Sequence, residues 1–437
     1  MRNPRPRFFY GWLVVIASIL AGAVQSGGSV WGASVFASHM TDELGWARSA
    51  FFGAFTLRAI VGGVLSPFIG PMQDTRSGPR ILMLLTGLTM GFSLITLKWV
   101  DNIVLFYVLF GALGALTMVG GAEMLTVAIV PKWFVRMRGR AVAIASTGTA
   151  MGPLFFPFLV HGIITLVGWR DAWVVLGIGS MAIMVPLALM VRSRPEDIGL
   201  LPDGAREPEP ATLRQAQGER AGAAQGERRI ASRAEQSFTR RQAMRTYAFW
   251  LLILAFFLSM LGMGGFHANW IPYFEDIGFS PAVGAWAATA YGVCSISVRL
   301  VWGVVAERYP VRYLLVIQAL LTAVSIMLFL NITNVPTLII AGASHGLALG
   351  GFFIMRPLII ANYFGRQNLG AINGVLRPFV TLSGAVSPLL IAGMFDIFGT
   401  YREAFLLATF TWVLAAGVVF LAAPPRRQRT ASEAVAG

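Results

Sequence analysis

Long apolar stretches constrain this chain more than any other feature of its sequence. A helix needs about 20 apolar residues to cross the hydrocarbon core of a bilayer. We place twelve such runs, named span 1 to span 12, at 11–36, 48–69, 80–98, 103–130, 139–167, 171–191, 246–272, 282–306, 312–330, 336–363, 369–396 and 401–422. Only 12% of the residues are charged, against about 25% in a soluble domain. The sequence therefore predicts an all-α polytopic membrane protein in contact with the lipid bilayer.

Basic residues lie mainly on one side of these spans. If both termini are on the same side, the links and tails of that side hold 26 of the 34 lysines and arginines. The links of the other side hold four, and the spans hold four. Lysine and arginine are enriched in cytoplasmic loops. We therefore expect a multi-pass protein of the plasma membrane with both termini in the cytoplasm, and no nucleic-acid partner despite the net charge of +14.

One long polar segment divides the chain. Residues 192–245 contain the pentapeptide AQGER twice, at 216–220 and 224–228, and have too few apolar residues to form a core. We expect a six-helix transmembrane domain at 1–191, a disordered cytoplasmic linker at 192–245, a second six-helix domain at 246–423 and a cytoplasmic tail at 424–437.

The two halves resemble each other at an offset of about 232 residues. DELGWARSA, from Asp42, matches EDIGFSPAV, from Glu275. KWFVRMRGRA matches NYFGRQNLGA, and GWRDAW matches TYREAF. The polar link GPMQDTRSGPR between spans 2 and 3 matches GVVAERYPVR between spans 8 and 9. Matches in the same order indicate a duplication, and six spans per copy predict parallel repeats.

At the polar links the chain resembles the major facilitator superfamily, whose link between spans 2 and 3 reads roughly G-x-x-x-D-R-x-G-R-R. The first copy has one additional residue, Thr75. The resemblance implies two six-helix repeats in the major facilitator fold. A carboxylate at a helix end can pair with arginines and with a neighbouring helix N-terminus, so we expect a cytoplasmic gate here. Its residues are Gly70, Asp74, Arg76, Gly78, Arg80, Gly303, Glu307, Arg308 and Arg312.

The first half is similar to a narrower group. FYGW in span 1, GWARSA in span 2 and WF…RGRAVAIA in span 5 resemble bacterial carriers of the monocarboxylate-transporter and oxalate/formate type. In the monocarboxylate branch, an arginine four residues before a glycine in span 8 is implied to hold the substrate carboxylate. Arg299 and Gly303 match this spacing. Ser295 stands where that branch usually has an aspartate, and Trp31 lies near the place of a lysine in animal members.

Ionisable groups inside the spans are the other candidate functional residues, because each is costly in a bilayer. Four arginines and one carboxylate fall there, and this surplus indicates a cavity that binds an anion. Snorkelling to the interface is the alternative for Arg299 and Arg377. Glu123 is either the structural ion-pair partner of Arg58 or a proton acceptor tuned by it. The candidates for substrate binding are Arg299, Arg377, Arg58 and Trp31.

Histidines are further candidates for proton coupling, because histidine titrates near neutral pH. His267 and His345 fall within spans and join Glu123 in this group, although a membrane histidine also serves as a hydrogen-bonded core residue. We find no His, Cys or carboxylate at metal-ligand spacing, and we predict no metal and no cofactor. The single cysteine, Cys294, excludes an intrachain disulfide.

These features favour a secondary carrier. No P-loop is present, so transport would use a gradient of protons or solutes. We expect a monomeric carrier of small organic anions, chiefly monocarboxylates, that works by alternating access with proton symport or exchange for a counter-anion. A drug/proton antiporter is the alternative, suggested by GTAMGP in span 5, and a nutrient sensor is less favoured. An enzyme is excluded because we find no nucleophile–base or metal constellation.

Overall fold

The computed structural model describes residues 9–28, 32–118, 120–204 and 237–425. Within these ranges the chain folds almost entirely into helices, and nine of the helices are long and apolar enough to cross a membrane. Spans 1 and 4 are built from shorter apolar helices, and spans 5 and 6 follow each other in one helical segment without an intervening loop. The prediction of an all-α membrane protein with twelve spans is confirmed.

The first half contains the more irregular helices. Span 4 alternates short α-, 3-10 and π-helical segments between Ile103 and Trp133. Spans 5 and 6 turn at Gly168, whose φ of 79° lies in the left-handed region that favours glycine. The remaining helices are Gly11–Ser26 and Gly32–Leu44 in span 1, Arg48–Ile69 in span 2, Gly78–Thr96 in span 3, and Arg138–Met190 for spans 5 and 6.

The second half is more regular. A short helix, Arg240–Met244, leads into it. Its spans are Tyr247–Ala268 with Trp270–Asp276 for span 7, Pro281–Arg308 for span 8, Val311–Phe329 for span 9, Val335–Leu349 with Phe352–Phe364 for span 10, Leu369–Phe398 for span 11, and Arg402–Leu421 for span 12.

Helix packing repeats between the halves. Span 1 packs on span 5 as span 7 packs on span 11, and span 3 packs on span 6 as span 9 packs on span 12. Span 2 likewise packs on span 4 as span 8 packs on span 10. The same neighbours in the same chain order confirm two six-helix parallel repeats.

Small residues allow the closest of these helix contacts. A Cβ on Gly342 of span 10 would lie 2.6 Å from the carbonyl oxygen of Ala287 in span 8. Gly346, one turn later, lies in the same way against the backbone of Tyr291. Without a hydrophobic driving force between helices in lipid, such close backbone approach is a main source of packing energy.

We call the side of the molecule at which the chain passes from the first half to the second the linker face. The described ends of the chain also lie there: the hydroxyl of Tyr10 donates to the carbonyl of Met190, and that of Tyr363 donates to the carbonyl of Ala422 at 2.6 Å. Residues 192–204 and 237–245 fold against this face. The centre of the expected linker, 205–236, lies outside the described residues, as does the tail from 426.

Candidate functional site

A cavity of about 440 Å³ lies between the two halves. Span 8 contributes the residues of one helical face, which recur every three or four positions and end at Arg299 on the side towards the linker face. Apolar and aromatic groups predominate, as in most small-molecule sites. The lining comprises Ser26, Thr149, Ala150, Met263, His267, Trp270, Ala288, Tyr291, Gly292, Ser295, Arg299 and Phe353.

Arg299 is the cation of this cavity. Its side chain is buried, and its guanidinium lies 5.2 Å from the ring centre of Phe353. One guanidinium nitrogen donates to the carbonyl oxygen of Ser146 in span 5, so Arg299 also joins the two halves. Its Nε has no hydrogen-bond partner among the described residues, and no carboxylate lies within ion-pair distance of it in that part of the chain. The charge is thus available to an anionic ligand.

The two candidate histidines lie side by side, and one of them lines the same cavity as Arg299. The rings of His267 and His345 are 5.3 Å apart, and only His267 lines the cavity. Nδ1 of His345 is 2.8 Å from the hydroxyl of Ser325. In the described structure the Nε2 atom of each histidine has no hydrogen-bond partner. Tyr291 stacks on His345 with ring centres 5.7 Å apart, so the pair is packed among aromatic rings.

Glu123 does not pair with Arg58, so the ion pair between spans 2 and 4, one of the two alternatives for Glu123, is wrong. Arg58 is buried in the first half, where it donates to the hydroxyl of Thr117 and lies 5.1 Å from the ring centre of Phe110. It is not among the residues that line the cavity. Arg58 and Glu123 are both in the middle of spans, but the packing of span 4 directs Glu123 to the other half.

Glu123 instead contacts two arginines of the second half. Its Oε1 accepts from Arg356 in span 10, and its Oε2 lies 2.9 Å from Nη2 of Arg377 in span 11. Arg377 therefore has an internal carboxylate partner and does not line the cavity that contains Arg299.

The predicted gate carboxylates lie between the halves at the linker face. Asp74 accepts hydrogen bonds from the backbone N–H groups of Gly370 and Ala371 at 3.0 and 2.8 Å, at the start of span 11. Glu307 accepts from the backbone N–H of Arg140 at 3.0 Å, near the start of span 5. Both carboxylates bind a helix N-terminus of the opposite half, where the helix dipole favours negative charge.

The basic partners differ between the two copies. Glu307 pairs with the side chain of Arg140 at 2.9 Å. Asp74 pairs with Lys132 at 2.7 Å, which the sequence did not indicate, because Lys132 lies in another link. The predicted arginine partners of Asp74 contact backbone carbonyl oxygens instead: Arg76 that of Asp197 at 3.3 Å, and Arg80 that of Leu189 at 2.8 Å.

The glycines of the two links allow the halves to meet. A Cβ on Gly303 would lie 2.8 Å from the carbonyl oxygen of Gly139, and one on Gly70 would lie 2.6 Å from that of Gly370. Gly78 donates its N–H to the hydroxyl of Thr75 at 3.0 Å, so the additional residue of the first copy closes a local turn.

The other predicted gate residues lie at the edge of the linker face. Arg312 contacts the carbonyl oxygen of Phe420 within the second half, and Arg308 is exposed. The linker itself joins the halves, because Glu196 pairs with Arg366 at 2.7 Å. Trp31, predicted to bind substrate, lies outside the described residues.

The opposite face has a different pattern of ion pairs. Arg170 pairs with Glu43, and Lys98 pairs with Asp171 at 2.6 Å, all within the first half. Hydrogen bonds from Trp169 and Arg170 hold the pKa of the Glu43 carboxyl below its usual range. Among the described residues, the polar contacts that join the halves lie between the cavity and the linker face. The structure thus has its linker face closed.

Two six-helix halves around a central cavity, joined by polar contacts between their helix ends, form an arrangement suited to membrane transport. A family model described as Major Facilitator Superfamily matches residues 19–274 and again 252–436. The chain belongs to this superfamily. It is a transporter and not an enzyme, as the sequence predicts.

Curated relatives place the chain near the predicted branch. It is 24% identical over 438 residues to monocarboxylate transporter 12 of Rattus norvegicus, covering 96% of this chain and 87% of that protein. It is 23% identical over 368 residues to the oxalate:formate antiporter of Oxalobacter formigenes, covering 82% and 78%. The uncharacterized transporter YhjX of Escherichia coli is 23% identical over 373 residues, covering 84% and 83%.

Solved structures agree with the fold. The proton:xylose symporter XylE, bound to 6-bromo-6-deoxy-D-glucose, superposes with a TM-score of 0.70 at 14% identity, covering 94% of this chain and 95% of that chain. The human organic anion transporter MFSD10 superposes with a TM-score of 0.63 at 15% identity, covering 94% and 97%. At such identities the likeness shows the fold alone.

Proposed function

We propose that this chain is a secondary carrier of small organic anions, chiefly monocarboxylates, that works by alternating access. One observation carries the proposal: Arg299 lies in the cavity between the halves, and no described carboxylate neutralises it. A buried guanidinium binds a carboxylate through two parallel hydrogen bonds, which gives both affinity and orientation. The names of two relatives, a monocarboxylate transporter and an oxalate:formate antiporter, support this substrate class.

The cavity suits an acid with a short apolar chain. Met263, Trp270 and Phe353 line it together with Arg299, so a substrate would place its carboxylate on the cation and its carbon chain against these side chains. His267 is the group best placed to bind a proton with the anion, because it shares the cavity. Glu123 already pairs with two guanidinium groups and does not line the cavity, so we prefer His267 to Glu123 for proton coupling.

Uptake of labelled carboxylates into proteoliposomes tests this function. We expect saturable uptake of a labelled monocarboxylate such as lactate, with competition from other short monocarboxylates. Neutral alcohols of the same size and a hydrophobic cation should not compete. A pH gradient or an internal carboxylate should stimulate uptake according to whether transport is proton symport or exchange. Accumulation of the cation, with no uptake of the carboxylate, would favour a drug/proton antiporter instead.

A further inference from the structure

Three side chains form a charged cluster between the cavity and the linker face. Glu123 belongs to the first half, and Arg356 and Arg377 belong to the second. Each arginine lies eight residues from the linker-face end of its helix, which is about 12 Å along the helix axis. The arginine side chains are 14% and 8% exposed, whereas that of Glu123 is 30% exposed. The arginines are thus nearly buried, and the carboxylate is the more accessible member.

The charges of this cluster do not balance. Two guanidinium groups share one carboxylate, and in the described structure no other carboxylate lies within ion-pair distance of either arginine. Arg356 and Arg377 therefore form an anion site that Glu123 occupies while the linker face is closed. Because the occupant belongs to the opposite half, any motion that opens the linker face draws Glu123 away from both arginines.

That separation is costly when nothing replaces the carboxylate. Removing one partner of a buried ion pair leaves an uncompensated charge in a poorly solvated place, which is strongly unfavourable. A second carboxylate of the same chemistry can take the place of Glu123 on the two guanidinium groups. Opening would then be much less unfavourable for a carrier loaded with an anion than for an empty one.

We propose that Glu123 competes with the transported anion for Arg356 and Arg377, and that this competition locks the linker face of the empty carrier. This inference rests on the proposed function, because it takes the transported solute to be a carboxylate. Arg299 binds the anion in the cavity, and the two arginines bind it during opening. An empty carrier returns slowly, so transport is exchange of one anion for another.

A distance measurement tests the lock without any transport assay. Spin labels are placed on the full chain at Ser77→Cys in the first half and Tyr309→Cys in the second, in a Cys294→Ser background; both sites are exposed at the linker face. Without carboxylate, Glu123→Gln should raise the population of the long, open distance at least about fivefold over the parent. An unchanged distance distribution in this variant would overturn the proposal.

Efflux from proteoliposomes gives the second readout. Vesicles are loaded with labelled lactate, and efflux is measured with and without unlabelled lactate outside. The parent should need external lactate, whereas Glu123→Gln should release label almost as fast without it. An equal stimulation by external lactate in both proteins would contradict the competition. Glu43→Gln, which removes an exposed carboxylate paired with Arg170 within the first half, is the matched control and should behave like the parent.

Arg377→Gln provides a variant that tests the anion site itself. Lactate should still bind at Arg299, but it should no longer shift the spin-label distance towards the open form. Full lactate-induced opening in Arg377→Gln would overturn the proposal, even if Glu123→Gln proves unstable. A parent that neither binds nor transports carboxylates would reject the proposed function, whereas the distance change of Glu123→Gln would then still establish the lock.

Discussion

At the residue scale, the burial of Arg299 determines how selective its binding can be. Arg299 is 3% exposed, and one of its guanidinium nitrogens already donates to the carbonyl oxygen of Ser146. Its remaining donors lie in a fixed plane, which matches a carboxylate but not a single point acceptor. The structure therefore distinguishes Arg299 from Arg58, which is also buried but lies outside the cavity lining.

Equilibrium binding of a labelled monocarboxylate to purified variants checks this difference. Arg299→Ala should weaken binding by about 30- to several-thousand-fold, because a charged hydrogen-bond partner is worth about 2–5 kcal/mol in a poorly solvated site. Arg299→Lys should keep the charge and still bind much more weakly. Arg58→Lys is the matched control and should bind like the parent. Parental binding by Arg299→Ala would place the anion site elsewhere.

At the scale of elements, the ends of spans 5, 8 and 11 decide how closely the halves meet. Gly303 at the end of span 8 is in contact with the start of span 5, where a Cβ would lie 2.7 Å from Cβ of Ala143 and 2.8 Å from the carbonyl oxygen of Gly139. A backbone atom cannot move aside as a flexible side chain can. The closed linker face therefore depends on having no side chain at this position.

Gly303→Ala should destabilise the closed linker face without unfolding span 8, because alanine is a better helix former than glycine. The distance between spin labels at the linker face should shift towards the open form, and substrate exchange should slow. Gly417→Ala in span 12 is the matched control, since a Cβ there would meet no atom within 4 Å. If the distances in Gly303→Ala stay those of the closed form, the contact accommodates a methyl group and the prediction is wrong.

The two gate carboxylates allow a second test on the same elements. Asp74 and Glu307 each accept backbone hydrogen bonds at the start of a helix of the other half. The double variant Asp74→Asn, Glu307→Gln loses the negative charges at the two helix N-termini. The side-chain amide oxygens that replace them can still accept hydrogen bonds. Turnover in proteoliposomes should fall more than the affinity for substrate does. Normal turnover in the double variant would leave these links with no part in gating.

At the scale of the whole molecule, the distribution of charge favours one orientation in the membrane. The linker face contains the described ends of the chain and the links rich in arginine. The opposite face has few basic residues, and Arg170 and Lys98 are both neutralised there by acidic neighbours. On the basis of the positive-inside rule we propose that the linker face is cytoplasmic.

Reporter fusions check this orientation. Fusions at the C-terminus and near Gly218, within the segment between the halves, should both be active only as cytoplasmic reporters. A fusion in the link after Lys98, on the opposite face, should show the reverse and serves as the internal control. Periplasmic activity at either of the first two sites would contradict the proposed orientation.

The sequence by itself determined the properties that depend on position along one helix. Apolar length predicted the twelve spans, because a bilayer requires about 20 apolar residues in each. The repeated links predicted Asp74 and Glu307 as equivalent carboxylates between the halves, and both do bind a helix N-terminus. The position of Arg299 within span 8, four residues before Gly303, predicted a cation available to an anion, and Arg299 does line the cavity.

Only the tertiary structure decided which side chains of different helices meet. Sequence position gives the depth of Glu123 and Arg58 in the membrane, but not the direction in which each points around its helix axis. The irregular windings of span 4 turn Glu123 towards Arg356 and Arg377 in the other half. The partner of a buried charge is set by the packing of two domains far apart in the chain, which no local pattern records.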